Sequence, residues 1–198
     1  MFRYTLSPLT HDRLSEAVEL DRVCLGGIWT LEGYEREFHS PNSDLFTIVA
    51  DTSGTADASD RDPAGVSHPS GFDPSDLDQT CGNLVALGCL WAILDEAHIT
   101  LLLVHPDHRR QGLGQQLLTR LLQSARSRGL AWATLEVSEK NTAALALYHK
   151  FGFETIGKRK AYYQKTGEDA LILWLNGLQR GISILGDEPN FNPLGAIG

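Results

Sequence analysis

Residues 105–118 read HPDHRRQGLGQQLL. Two arginines, Arg109 and Arg110, precede two glycines, Gly112 and Gly114, and the stretch lies between an apolar run and a segment with helical spacing. Backbone N–H groups at the start of a helix have no partner within the helix, and the helix dipole places positive charge there. An anion held at such an end gains roughly 0.3–1 kcal/mol at an exposed site and more when partly buried. Glycines let a phosphate approach that backbone, and the arginines add charge and donors. The stretch therefore predicts a pyrophosphate cradle. Two other phosphate loops are excluded. Walker A needs Gly-Lys-Ser/Thr where Gly114-Gln115-Gln116 stands, and the dinucleotide fingerprint needs glycine in place of Leu117. Taken alone, G-x-G also fits a glycine-rich turn capping a surface helix.

The flanking pattern supplies elements that can position such a loop. Residues 84–94 and 97–104 are apolar runs bounded by turn residues. They predict an antiparallel pair turning at Asp95-Glu96. Apolar positions 113, 117, 118, 121, 122 and 125 give residues 111–128 a helical stripe that stops at Gly129. Strands are expected at 45–50, 131–137, 153–163 and 170–175, and helices at 10–20, 31–38 and 141–150, the first capped by Thr10 or Asp12. This alternation predicts an α/β (α+β) sheet covered by helices. Residues 1–176 are expected to form one domain. Within it, residues 51–83 are rich in Gly, Ser, Asp and Pro and predict a disordered or mobile loop, and 177–198 predict a flexible tail.

Composition narrows the partners. A formal net charge of −8 opposes broad nucleic-acid binding, although a local arginine pair still serves a small anion. Residues 1–20 carry Arg3, His11, Asp12, Arg13, Glu16 and Glu19 and lack the uninterrupted apolar stretch of a signal peptide, and nowhere do eighteen apolar residues run together, so a cytoplasmic protein without membrane contact is expected. Cys24, Cys81 and Cys89 have neither the number nor the spacing of a disulfide framework or thiolate zinc site. His105 and His108 sit in a proline turn without a third ligand, so no metal site is expected.

R-x-x-G-x-G at 109–114, after an apolar strand and opening a long helix, resembles the acetyl-coenzyme A signature of the GNAT N-acetyltransferase superfamily. LEVSEKNTAALALYHKFGF at 135–153, with RKAYY at 159–163 and EDA at 168–170, is similar to the RimI-type branch that acetylates the N-terminal alanine of ribosomal proteins. The likeness is dense over 84–175 and looser over the first fifty residues, where Trp29-Thr30 resembles that branch's "PWS" region.

The resemblance implies a GNAT fold with a mixed, mostly antiparallel sheet splayed near Val104, and acetyl-CoA as co-substrate. The backbone of Leu102, Leu103 and Val104 is then expected to pair with the pantetheine arm. Arg109, Arg110, Gln111, Gly112, Leu113, Gly114 and Gln115 are expected to hold the pyrophosphate, and Asn141 to make a further contact, a position that also predicts a helix N-cap. Glu136 aligns with the general base, which takes a proton from an α-amine of pKa about 8. Its strand neighbours Leu135 and Val137 should face the opposite way. Tyr148 aligns with the general acid that protonates the departing thiolate.

The implied activity is acetylation of a protein N-terminal amine, alanine on a small-subunit ribosomal protein, by direct attack. Two rivals stand beside it, the same chemistry on lysine or a polyamine and a non-catalytic acyl-CoA sensor. Departures from the family pattern are the 51–83 insertion, the tail, His105 where Asp is frequent and Arg109 where Gln is frequent.

Overall fold

The computed structural model describes residues 2–51, 82–163 and 166–180. The chain forms β1 (Arg3–Pro8), α1 (Leu14–Leu25), α2 (Leu31–His39), β2 (Ser43–Asp51), β3 (Asn83–Ile93), β4 (Glu96–Val104), α3 (Leu113–Ser127), β5 (Trp132–Ser138), α4 (Thr142–Lys150), β6 (Glu154–Tyr163) and β7 (Glu168–Asn176). The strands make one seven-stranded sheet in the order β1-β2-β3-β4-β5-β7-β6. Every pairing is antiparallel except β4 with β5, where the chain crosses over through α3. This is the expected mixed, mostly antiparallel sheet flanked by helices.

The α3 stripe forms as its spacing predicts. Leu113, Leu117, Leu118, Leu121, Leu122 and Ala125 are all buried, and the helix gives way to Gly129 at φ +76°. Burying one such leucine contributes about 1.5–3 kcal/mol. They join Phe46, Ile48, Val85, Ile99, Leu135 and Tyr148 in one apolar cluster. The other cluster gathers Leu14, Ala17 and Leu20 of α1 and Tyr34 of α2 with Leu87, Leu101 and Leu103.

Several boundaries differ from expectation. The first helix begins at Leu14 after a short 3-10 turn, His11–Arg13, and neither start has a side-chain cap; the Thr10 or Asp12 cap is not made. The hairpin turns at Leu94 and Asp95, with Leu94 at φ +56°, while Glu96 opens β4. β1 gave no sequence signal because it is an edge strand without a fully buried side chain. At the ends of the insertion, Asp51 closes β2 and Asn83 opens β3; the loop expected between them, with Cys81, lies otherwise outside the described residues. At the other end the packed chain continues past 176. Leu178 is fully buried, and its N–H donates to the Ala131 carbonyl at 3.0 Å, so packing does not end where the composition shifts. The rest of the expected tail, 181–198, lies outside the described residues.

Candidate active site

β4 and β5 pair only over Glu96–His98 with Trp132–Thr134. Beyond that point the strands part, so the splay opens before Val104, at His98. On its other side β4 stays paired with β3, Ala86 opposite Val104 and Gly88 opposite Leu102. Among the described residues, no strand pairs with the β5-facing edge of 99–104. Leu102, Leu103 and Val104 lie on this stretch, as the resemblance requires. The Val104 carbonyl, however, already accepts from Arg109 Nε at 3.1 Å and from Cys24 Sγ at 3.5 Å.

The chain then turns through Pro106–His108 and enters α3. Arg110 takes φ +63° and Gly112 φ +79°, and Gly112 is the helix N-cap. Gln116 N–H donates to the Gly112 carbonyl at 3.1 Å, the first bond of the helix ladder. The amides of Leu113, Gly114 and Gln115 therefore have no ladder partner, and no side chain caps the helix. Arg110 and Gln111 are exposed. A Cβ on Gly112 would meet nothing within 4 Å, and one on Gly114 would lie 3.5 Å from Leu147 Cδ2 and 3.8 Å from Val104 Cγ2. The loop is thus open above Gly112 and backed by α4. These features fit a diphosphate on the amides and an extended arm along β4.

Two contacts fasten this loop from elsewhere. The Tyr4 hydroxyl, on β1, donates to Gln111 Oε1 at 2.5 Å and lies 3.1 Å from His108 Nδ1. Lys150 Nζ donates to Gln115 Oε1 at 3.0 Å. Neither was foreseeable from spacing, since the partners are remote in sequence. Among the described residues, no group of three or more His, Cys, Asp or Glu side chains is placed to hold a metal ion, and no helix is long and apolar enough to cross a membrane.

Glu136 stands on β5 between buried Leu135 and Val137, so its carboxylate does face the other way. Only 11% of its side chain is exposed. Its Oε1 lies 3.2 Å from Arg159 Nη2 and its Oε2 3.3 Å from His98 Nε2. Tyr148 is buried on α4 beside Phe153, with ring centroids 5.7 Å apart. Burial, reinforced by Tyr163, pushes the Tyr148 phenol far above its ordinary value, so it remains a neutral O–H donor. Burial and then Tyr162 and Glu136 raise Tyr163 as well. Asn141 is the N-cap of α4, its Oδ1 accepting from Ala144 N–H at 3.1 Å.

The loop between α1 and α2 borders the same face. Asp21 is fully buried, and its carboxylate accepts from Trp29 N–H at 2.7 Å and Ile28 N–H at 3.1 Å. Trp29 stacks on Trp91 with centroids 6.2 Å apart and planes 13° apart, and Trp91 lies 6.3 Å from the His98 ring. Asp21, Trp91 and His98 were missed because a buried aspartate and single aromatics carry no periodic or motif signal.

The model of the acetyltransferase (GNAT) family matches residues 14–153. The [ribosomal protein bS18]-alanine N-acetyltransferase of Escherichia coli is 42% identical over 96 residues, covering 48% of this chain and 65% of that protein. A Bacillus subtilis putative enzyme of the same name is 37% identical over 94 residues, covering 48% of this chain and 62% of its own length. Each match thus spans less than two thirds of the relative. The crystal structure of the E. coli ribosomal-protein-S18-alanine N-acetyltransferase superposes with a TM-score of 0.66 at 27% identity, covering 96% of this chain and all of that one. With residues 14–153, more than half of the chain, matched by one family model, the chain belongs to the GNAT acetyltransferase family.

Proposed function

We propose that the protein moves the acetyl group of acetyl-CoA to the α-amine of a protein N-terminus. The relatives' names indicate an alanine on a small-subunit ribosomal protein of the bS18 type. A ribosomal substrate also places the reaction in the cytoplasm. The reading rests on one juxtaposition. A shielded carboxylate, Glu136, and a buried neutral phenol, Tyr148, sit on β5 and α4, the elements that border the unpaired edge of β4.

Each residue's part follows from its surroundings. Amides of Leu113, Gly114 and Gln115 hold the diphosphate with Arg110, and Gln111 is set by Tyr4. The edge of Leu102 to Val104 offers backbone to the pantetheine amides, and Asn141 adds a contact from the start of α4. Arg109 tethers the loop to Val104. Acetyl-CoA supplies the activated acetyl thioester. Glu136 takes the proton of the attacking ammonium, and Tyr148 gives its phenolic proton to the leaving thiolate. With both groups in place, direct attack suffices, and Cys24 and Cys89 are not required as acetyl carriers.

A thiol-release assay tests the proposal with three acceptors: a peptide with free N-terminal alanine, the same peptide N-terminally blocked with an internal lysine, and spermidine. Release of CoA is expected with the first alone. Turnover confined to the lysine peptide or to spermidine overturns the substrate class. Acetyl-CoA binding without thiol release from any acceptor overturns catalysis.

A further inference from the structure

The Glu136 carboxylate is the inner end of a connected chain of polar groups. Its Oε2 lies 3.3 Å from His98 Nε2. On the other side of that ring, Nδ1 lies 2.8 Å from Thr134 Oγ1. The Thr134 hydroxyl donates to Glu96 Oε1, which also lies 3.5 Å from His98 Nδ1. Side-chain exposure is 11% at Glu136, 23% at His98 and 31% at Glu96, with Thr134 buried between the last two.

Donor chemistry determines where the hydrogens sit. An ionised carboxylate only accepts, so the single hydroxyl hydrogen of Thr134 goes to Glu96. Thr134 Oγ1 must then accept from His98, which places a hydrogen on Nδ1. A neutral imidazole with its hydrogen on Nδ1 has a bare lone pair at Nε2. Opposite that lone pair stands a carboxylate oxygen, which also only accepts. The 3.3 Å contact is favourable only with a proton between Nε2 and Oε2.

We propose that His98 is a positioning residue that completes the proton acceptor: Glu136 and His98 Nε2 form one proton-binding site, oriented by Thr134 and Glu96. The inference rests on the reading of Glu136 as the base. The attacking ammonium gives a proton to Glu136 Oε2 and keeps its electron pair for the carbonyl carbon. The proton passes to Nε2, making an imidazolium. Nδ1 keeps its hydrogen directed at Thr134 Oγ1 and Thr134 keeps its own directed at Glu96 throughout, and after product release the Nε2 proton returns through Glu136 Oε2 to water, which restores the starting ring. The groups facing the site are Glu96 on β4, Thr134 and Glu136 on β5, and Trp91 on β3. Arg159 on β6 and the Tyr163 phenol complete the set. Arg159 Nη2 lies 3.2 Å from Oε1, the carboxylate oxygen that does not face His98.

Two variants and one spectrum test this. His98→Gln keeps size and a polar head but cannot titrate. It is expected to lower kcat about 100-fold with little change in either KM. The acid limb of its kcat profile should move about one pH unit towards acid, because a lone carboxylate gives up its proton more readily than one sharing it with an imidazole. In the free protein, long-range proton–nitrogen spectra should show Nδ1 protonated at every pH and Nε2 titrating, and Thr134→Val should release that preference. A neutral ring carrying its hydrogen on Nε2 overturns the proposal, whatever the variants do. So does His98→Gln with parental kcat and limb while Glu136→Gln is impaired. If Glu136→Gln itself retains parental kcat, the base assignment fails and this inference fails with it.

Discussion

The glycines of the R-x-x-G-x-G loop look equivalent in sequence, yet the fold separates them, and a pair of alanine substitutions makes the difference measurable. Gly112 sits at φ +79° with open space above it. An alanine there meets no neighbour, so its cost is the backbone alone, about 1–2 kcal/mol for a side chain in the left-handed region. In a domain of this size each kcal/mol moves Tm by about 2–4 °C, so Gly112→Ala should unfold roughly 2–8 °C below the parent. Gly114 lies inside the first turn of α3, where its Cβ would make ordinary contacts at 3.5 Å and 3.8 Å. Alanine is favoured over glycine in a helix by about 0.5–1 kcal/mol, so Gly114→Ala should unfold roughly 1–4 °C above the parent. Acetyl-CoA titration calorimetry supplies the second readout. Relaxing Gly112 out of its native conformation turns the first-turn amides away from the diphosphate. A tenfold loss of affinity, about 1.4 kcal/mol, is expected for Gly112→Ala, against less than about threefold for Gly114→Ala. Parental Tm and affinity in Gly112→Ala, or a lowered Tm in Gly114→Ala, refutes the reasoning.

Tyr148→Phe removes the phenolic proton proposed for the leaving thiolate while preserving the packing against Phe153, so kcat should fall about 100-fold with acetyl-CoA affinity unchanged in calorimetry. Asp21→Ala strips a buried carboxylate from the amides of Ile28 and Trp29 and should cost about 2–4 kcal/mol in denaturant unfolding; if the loop borders the acceptor site, the peptide KM rises as well. The Lys158 hydrogen bond, followed by the Ala161 amide, holds Asp169 below its ordinary value of 3.8. A depressed carboxylate contributes stability that is present above that value and lost as pH falls through the lower folded value. Thermal unfolding between pH 5 and pH 2 should therefore show a smaller acid loss in Asp169→Asn than in the parent.

Much of the scaffold was legible because single elements carry their own signals. The α3 stripe is written in six apolar positions, and Leu135 and Val137 assign the opposite face of β5 to Glu136 without any tertiary information. The glycine loop that opens α3 was legible for the same reason, since a strand, a glycine pair and a helix start are contiguous in the chain. What brackets that loop was not. Tyr4 reaches Gln111 across 107 positions, and Asp21 reaches Trp29 by local hydrogen bonds that impose no spacing rule. Glu96 looked like a turn residue because Leu94, exposed and apolar, takes the left-handed turn position that polar residues usually fill.

The least legible feature is the one that arranges the site. Strict alternation along β4 places Ala97, Ile99, Leu101 and Leu103 on one face. In the fold, Ala97 and Ile99 pack in the cluster beneath α3, whereas Leu101 and Leu103 pack in the cluster beneath α1 and α2. Thr100 is the extra residue: Leu90 opposes Ile99, Cys89 opposes Leu101, and nothing on β3 opposes Thr100, whose hydroxyl turns to the Cys89 carbonyl at 3.4 Å. A bulge of this kind bends a strand and increases its twist, and here it falls just after His98, where pairing with β5 ends. Sequence could not disclose it, since the run LLLV is apolar on whichever face it presents. The bulge divides β4 into two working parts. Before it, paired backbone holds the side chains of Glu96 and His98 beside Thr134 and Glu136; after it, the same strand turns towards the splay an edge that no strand among the described residues pairs. One inserted residue thus lets a single strand present the side chains of the proposed proton acceptor at one end and the backbone edge proposed for the extended ligand at the other.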